Sequence, residues 1–264
     1  MNAQRILILA QQVWLETLRR KDVYVLLILL TGFLAALMSV NAFGLGQMAA
    51  YMKETGLLLA WIFSWILAIN TSTRQIPREE SQGTVYLLLA KPVSRADVVL
   101  GKWLGTWSVT VVATVSFYAV LAVVALLRQS PFGLPTLVQA LLLHSTLLAI
   151  LTAIGIWFST RLNYDAAATL TYVLTLAAWL VLPRVPTFVL NTTGFQQWGL
   201  MLCYYALPHF ELFDMRRRLV YDAAPILLAD LGLILLYGTV IIAFFLILAW
   251  LAWRRKRFVR GAAV

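Results

Sequence analysis

The chain of 264 residues is 62% hydrophobic and only 12% charged, with a mean hydropathy of +0.84 and a net charge of +10. A soluble domain is nearer half apolar, so an excess of this size cannot be hidden in one core, and lipid is the solvent for much of it. A single cysteine, Cys203, excludes an intramolecular disulfide and any CxxC metal motif. The basic residues gather at the ends of apolar runs with no basic aromatic groove, which points to membrane orientation and away from nucleic acid.

The first element is an amphipathic helix over residues 3–19. Ile6, Ala10, Val13, Trp14 and Leu18 share one face, and Arg5, Gln12, Glu16 and Arg19 the other, so the helix is expected to lie along the membrane surface. Its polar interruptions and the lack of a small-residue cleavage site make it no cleavable signal, and no lipidation motif is present. Six spans follow, near 23–43, 55–73, 103–127, 136–158, 166–190 and 231–253. None has an Asp, Glu, Lys or Arg in its central part, as expected where one mid-membrane charge costs about 2.5–3.5 kcal/mol. The second span is the weakest, because TSTR follows a short apolar run, and the fifth is expected to stop or bend at Pro183 and Pro186. The expected class is an all-α polytopic membrane protein, one domain over residues 1–264.

With the N-terminus in the cytoplasm, the inside segments hold Arg5, Arg19–Lys21, the basic residues of 74–102, Arg161 and the RRKR end. The outside ones hold only Lys53, Arg128, Arg184 and Arg216–Arg218. This bias puts both termini inside. Residues 191–230 form the one sizeable outside region. Its GLMLCYYAL run, 199–207, is too short to span and is expected to be re-entrant or interfacial.

Little in the spans looks like chemistry. Walker A, GxSxG and HExxH patterns are absent, so no catalytic residue and no nucleotide site is expected on this chain. His144, inside the fourth span, lacks intramembrane acidic partners for a proton relay and is expected to bond a neighbouring helix. Thr106, Thr110 and Thr114, and likewise Thr171 and Thr175, are spaced four apart. Such stripes mark helix contacts more often than a substrate path, though both readings stand. His209, Glu211 and Asp214, with sulfur nearby, are too scattered for an expected metal site. Asn191–Thr193 matches a glycosylation sequon that nothing else supports. Without midplane charges an ion-driven carrier is disfavoured, and energy for uphill transport would come from outside the chain. A secondary carrier and a membrane scaffold remain the alternatives.

The exception is RQIPREESQGTVYLLLAKPVSR, residues 74–95, between the second and third spans. Pro77 can start a short helix, with Glu79 and Glu80 in its favourable first turn. Gly83 interrupts, an apolar run follows, and Ser94 with Asp97 looks like the cap of the next helix, so a short folded cytoplasmic hairpin is expected between the second and third spans. An apolar run rimmed by charge is the composition of a docking surface.

The longer stretch IPREESQGTVYLLLAKPVSRADVVLGKWLG resembles the signature of ABC-2 type transporter permeases. It has an acidic pair, a following Gly-Thr, an apolar turn, Pro-Val-Ser-Arg and a Gly-Lys before the next span. The span plan extends the likeness over essentially the whole chain. ALPHFELFD, 206–214, resembles a loop of the nitrous-oxide-reductase maturation subgroup. The resemblance implies the membrane half of a bacterial inner-membrane exporter, paired with a second permease. A separate ABC ATPase would carry ATP and Mg, with no cofactor on this chain. Glu79, Glu80, Gly83, Tyr86, Leu87, Leu89, Pro92, Ser94 and Arg95 would form its coupling interface, and 191–230 would be open to an extracytoplasmic partner.

Overall fold

The computed structural model describes residues 3–39, 48–83, 93–190, 193–254 and 256. Among these, regular structure is helical throughout. In chain order the helices are α1 (Ala3–Arg20), α2 (Asp22–Ser39), α3 (Met48–Ser81), α4 (Arg95–Leu127), α5 (Leu134–Ser159) and α6 (Tyr164–Leu180). Then come α7 (Val185–Val189), α8 (Phe195–Ala206), α9 (Arg216–Val220) and α10 (Leu228–Arg254). Five segments are long and apolar enough to cross a bilayer: Ala50–Ser81, Arg95–Leu127, Leu134–Ser159, Tyr164–Val189 and Leu228–Arg254. The expected first span corresponds to α2, which is apolar but shorter within the described residues.

The second span is longer than its sequence signal. α3 runs for 34 residues, about 51 Å at the rise of an α-helix, and so projects well beyond the ~30 Å hydrocarbon layer. The TST run does not end it. The hydroxyls of Thr71, Ser72 and Thr73 donate to the carbonyls of Leu67, Ala68 and Ile69, so each polar side chain is satisfied inside its own helix. Pro77 lies inside α3 and does not start a new helix. Tertiary contact explains the continuation: Ile76 is buried in a cluster with Leu9, Val98, Val99 and Trp253, which holds the last turns in register despite one missing N–H. Gly83, at φ +67°, then ends the helix in the left-handed conformation that favours glycine.

α5 is the central helix. Leu143, Leu147, Leu148, Ile150, Leu151 and Ile154 on it are fully buried, and it packs against α3, α4, α6 and α10. Gly155 lets Ser72 of α3 approach closer than a Cβ would allow. α6 stops at Leu180, and a 3-10 turn at Leu182–Arg184 and α7 carry the chain on, so the expected break at Pro183 and Pro186 is present. α8 packs on α7. Its 12 residues cover about 18 Å, too little to span.

α1 is helical as expected, but its packed face is rotated. Leu9, Ala10, Val13 and Thr17 are buried, and Leu18 is exposed. The cause is α4: Gly101 and Gly105 offer a flat strip on which α1 seats, and a Cβ on Gly105 would come within 2.9 Å of the Ala10 carbonyl oxygen. Trp14 Nε1 donates to Ser108 Oγ at 2.7 Å and fixes the fit.

Candidate functional site

The end of the bundle that carries α1 is tied by a frame of ions. Glu79 and Glu80 occupy the last turn of α3, not the first turn of a new helix. Carboxylates there oppose the helix dipole. Each is held by a lysine from elsewhere in the chain. Lys102 Nζ of α4 lies 2.5 Å from Glu79, with both side chains nearly buried. Lys256 Nζ lies 2.7 Å from Glu80 and also donates to the Thr160 carbonyl at 3.1 Å. Arg78, one residue earlier, pairs with Glu16 of α1.

The start of α4 completes the frame. Ser94 Oγ accepts from the Asp97 N–H at 3.1 Å, and the Asp97 carboxylate accepts from the Ser94 N–H at 3.1 Å, the reciprocal cap read in the sequence. Arg95 then reaches across to the end of α10, where its guanidinium donates to the carbonyls of Trp253 (2.6 Å) and Arg254 (2.8 Å). The Trp253 carbonyl also accepts from the Lys256 N–H at 3.2 Å, and a cation suits that helix terminus. Of the sequence-derived interface, then, Glu79, Glu80, Gly83, Ser94 and Arg95 belong to one junction of α3, α4 and α10. Tyr86, Leu87, Leu89 and Pro92 lie outside the described residues.

The membrane-embedded candidates are all buried. His144 stacks on Trp61 with ring centroids 4.9 Å apart, and its two nitrogens face Ser64 Oγ at 2.9 Å and Tyr118 OH at 3.2 Å. It thus joins α3, α4 and α5. Thr106, Thr110 and Thr114 bond the carbonyls of Lys102, Thr106 and Thr110. Thr171 and Thr175 bond those of Ala167 and Thr171. Each of these hydroxyls is thereby satisfied within its own helix.

Composition alone did not single out the seam between α3 and α6. An apolar cavity of about 200 Å³ lies there, walled by Trp61, Trp65, Tyr172, Leu176 and Trp179 with Arg216 at one edge. The signal was present as helical spacing: Trp61 and Trp65 are four apart, and Tyr172, Leu176 and Trp179 step by four and three. The Arg216 guanidinium lies over Trp61 (4.6 Å) and Trp179 (5.5 Å) and forks onto Asp214 at 2.9 and 2.6 Å. Beyond it opens a vestibule of about 540 Å³, lined in part by Glu54, Glu211, Asp214 and Arg217. Asp214 is thereby engaged, and His209 sits edge-on to Tyr204 with its Nδ1 3.4 Å from Tyr237 OH. At this end Lys53, buried on α3, pairs with Asp222 at 3.2 Å.

Five helices long and apolar enough to cross a bilayer, tied at one end by an ion frame, define a multi-pass membrane protein. The sequence profile described as ABC-2 family transporter protein matches residues 14–256, nearly the whole chain. The chain belongs to that family, whose members are membrane transport subunits without an ATPase domain of their own, and membership implies partnership with an ABC ATPase. No curated protein matches the sequence significantly.

Proposed function

We propose that the chain is the permease of an ABC exporter in a bacterial inner membrane. It would have six spans with α2 as the first, both termini in the cytoplasm, and a second permease completing the dimer. A separate ATPase, carrying ATP and Mg, docks on residues 74–95. The observation that carries this reading is the ion frame: the residues flanking 84–92 are fastened to α1, α4 and α10 at once, so a push on this segment moves several helices together. Within it, Glu79 and Glu80 hold the frame, and Ser81 and Gln82, exposed at the tip, meet the ATPase. The translocation path is the α3–α6 seam, closed by the partner permease, with the Arg216–Asp214 pair between cavity and vestibule. Residues 191–230 face the extracytoplasmic side, where a partner protein can meet them. The likeness to the nitrous-oxide-reductase maturation subgroup rests on ALPHFELFD and carries no substrate assignment by itself.

The test separates frame from contact. Glu80→Lys should destabilise the chain and uncouple ATP hydrolysis from transport in liposomes reconstituted with the ATPase. The swap Glu80→Lys with Lys256→Glu should restore both, because the pair is internal. If the swap restores neither stability nor coupling, the pair is not internal and the frame reading is wrong.

A further inference from the structure

The end of α3 carries one guanidinium that the ion frame leaves uncompensated. Arg74 is the first charge after the charge-free stretch 55–73, so it sits at the boundary of the apolar layer. Arg20 and Arg78 beside it pair with Asp22 and Glu16. Arg74 has no carboxylate within pairing distance among the described residues. Its contacts are to a neutral ring: Nη2 donates to Tyr164 OH at 2.6 Å, and the guanidinium lies 4.3 Å from that ring's centroid. The Tyr164 hydroxyl in turn donates to Asn70 Oδ1 at 3.3 Å. The Arg74 Nε is buried with no acceptor. A half-buried cation whose contacts are to neutral groups is costly unless an anion offsets its charge.

The space for that anion is present. A cavity of about 610 Å³ opens beside Arg74, lined also by Arg20, Arg78, Asn163, Tyr164 and Asp165. The guanidiniums of Arg20, Arg74 and Arg78 face it, the first and last already paired with Asp22 and Glu16, and Asp165 is the one carboxylate in its lining. Its walls come from the α1–α2 junction, the end of α3 and the start of α6, each at the edge of an apolar segment. Those edges place the cavity at headgroup depth. Basic cavities of this kind between membrane helices take anionic lipid headgroups.

We propose that this cavity binds the phosphate of an anionic phospholipid, with Arg74 as its principal ligand and Arg20 and Arg78 at its rim. The phosphate oxygens accept from the guanidinium edge that Tyr164 leaves open. The site borders the segment on which the ATPase is proposed to dock, since Pro77, Arg78 and Ser81 also line it, and its test needs neither the ATPase nor a second permease.

The full-length chain, purified in a mild neutral detergent, is titrated with phosphatidylglycerol, with phosphatidylcholine, and with inorganic phosphate at constant ionic strength, and thermal unfolding is followed. Phosphatidylglycerol should stabilise the protein where phosphatidylcholine does not. Arg74→Gln should weaken the apparent affinity for phosphatidylglycerol roughly tenfold, the loss expected for a charge-assisted hydrogen bond. Arg184→Gln, the same charge change on an exposed residue at the other end, should leave it unchanged. If Arg74→Gln does not fold, Arg74→Lys serves, keeping the charge but losing the fork. Stabilisation by inorganic phosphate at equal concentration would overturn the lipid and assign a soluble anion. Equal stabilisation by the two lipids, or an unchanged affinity in both Arg74 variants, would overturn the site.

Discussion

Lys102→Met tests the most buried element of the ion frame. Lys102 is 4% exposed and Glu79 15%, with 2.5 Å between their charged atoms. Removing the lysine leaves a carboxylate that is largely out of water at the negative end of the α3 dipole. Breaking a buried pair from one side costs about 3–5 kcal/mol. The residual exposure of Glu79 at the membrane edge lowers the expectation to about 2–3 kcal/mol. Glu79→Met alone, which strands the lysine, should cost a similar amount. The double variant removes both charges and should fall within about 1 kcal/mol of the wild type, because the penalty lies in a buried charge that has lost its main counter-ion and not in the loss of the bridge. Reversible unfolding in bicelles, carried round the full double-mutant cycle, measures the coupling directly. If both single variants lie within about 0.5 kcal/mol of the wild type, or the double costs the sum of the two, the pair is an exposed contact and the frame argument fails.

Three further outcomes follow from the same contacts. His144→Leu should destabilise the chain by roughly 1 kcal/mol, two inter-helix hydrogen bonds at their usual worth in membranes, with transport by the refolded protein retained; loss of transport at unchanged stability would make the histidine a relay. Thr106→Val, Thr110→Val and Thr114→Val together should leave transport rates unchanged, since those hydroxyls bond their own helix; altered substrate affinity would return them to the path. Gly105→Leu should lift α1 from α4, because its Cβ alone would meet Val13 Cβ at 2.7 Å. Trypsin cleavage after Arg19, Arg20 and Lys21 should then quicken roughly tenfold, the scale of an overpacking penalty, and an unchanged rate would mean that α1 is not seated there.

Much of the architecture was legible because lipid imposes a plain rule: the charge-free stretches of α3, α4, α5, α6 and α10 could be read directly. The cap of α4 was also legible, since Ser94 and Asp97 act within one turn. The end of α3 was not. Pro77 has two meanings, a helix start or an interior residue, and the choice depends on Ile76 reaching Leu9, Val98 and Trp253 from distant parts of the chain. The partners of Glu79 and Glu80 were hidden for the same reason, because Lys256 is 176 residues from Glu80. The seating of α1 has a local signal in the sequence: GKWLG, 101–105, is a GxxxG strip. Counting apolar residues around α1 favoured Leu18, but the flat strip on α4 selected Leu9 and Thr17 instead. The tryptophan seam was equally present in helical spacing, yet aromatic residues four apart are ordinary in a core, and only the position of Arg216 over Trp61 and Trp179 sets them apart.

The most direct measurement of the account is a photo-crosslinker at Gln82, the exposed residue just beyond the last turn of α3. In native cells, illumination should join the chain to a protein that mass spectrometry identifies as an ABC ATPase, while the same probe at Tyr221, at the opposite end, should not. An adduct to the ATPase from Tyr221 and none from Gln82 would contradict docking at residues 74–95.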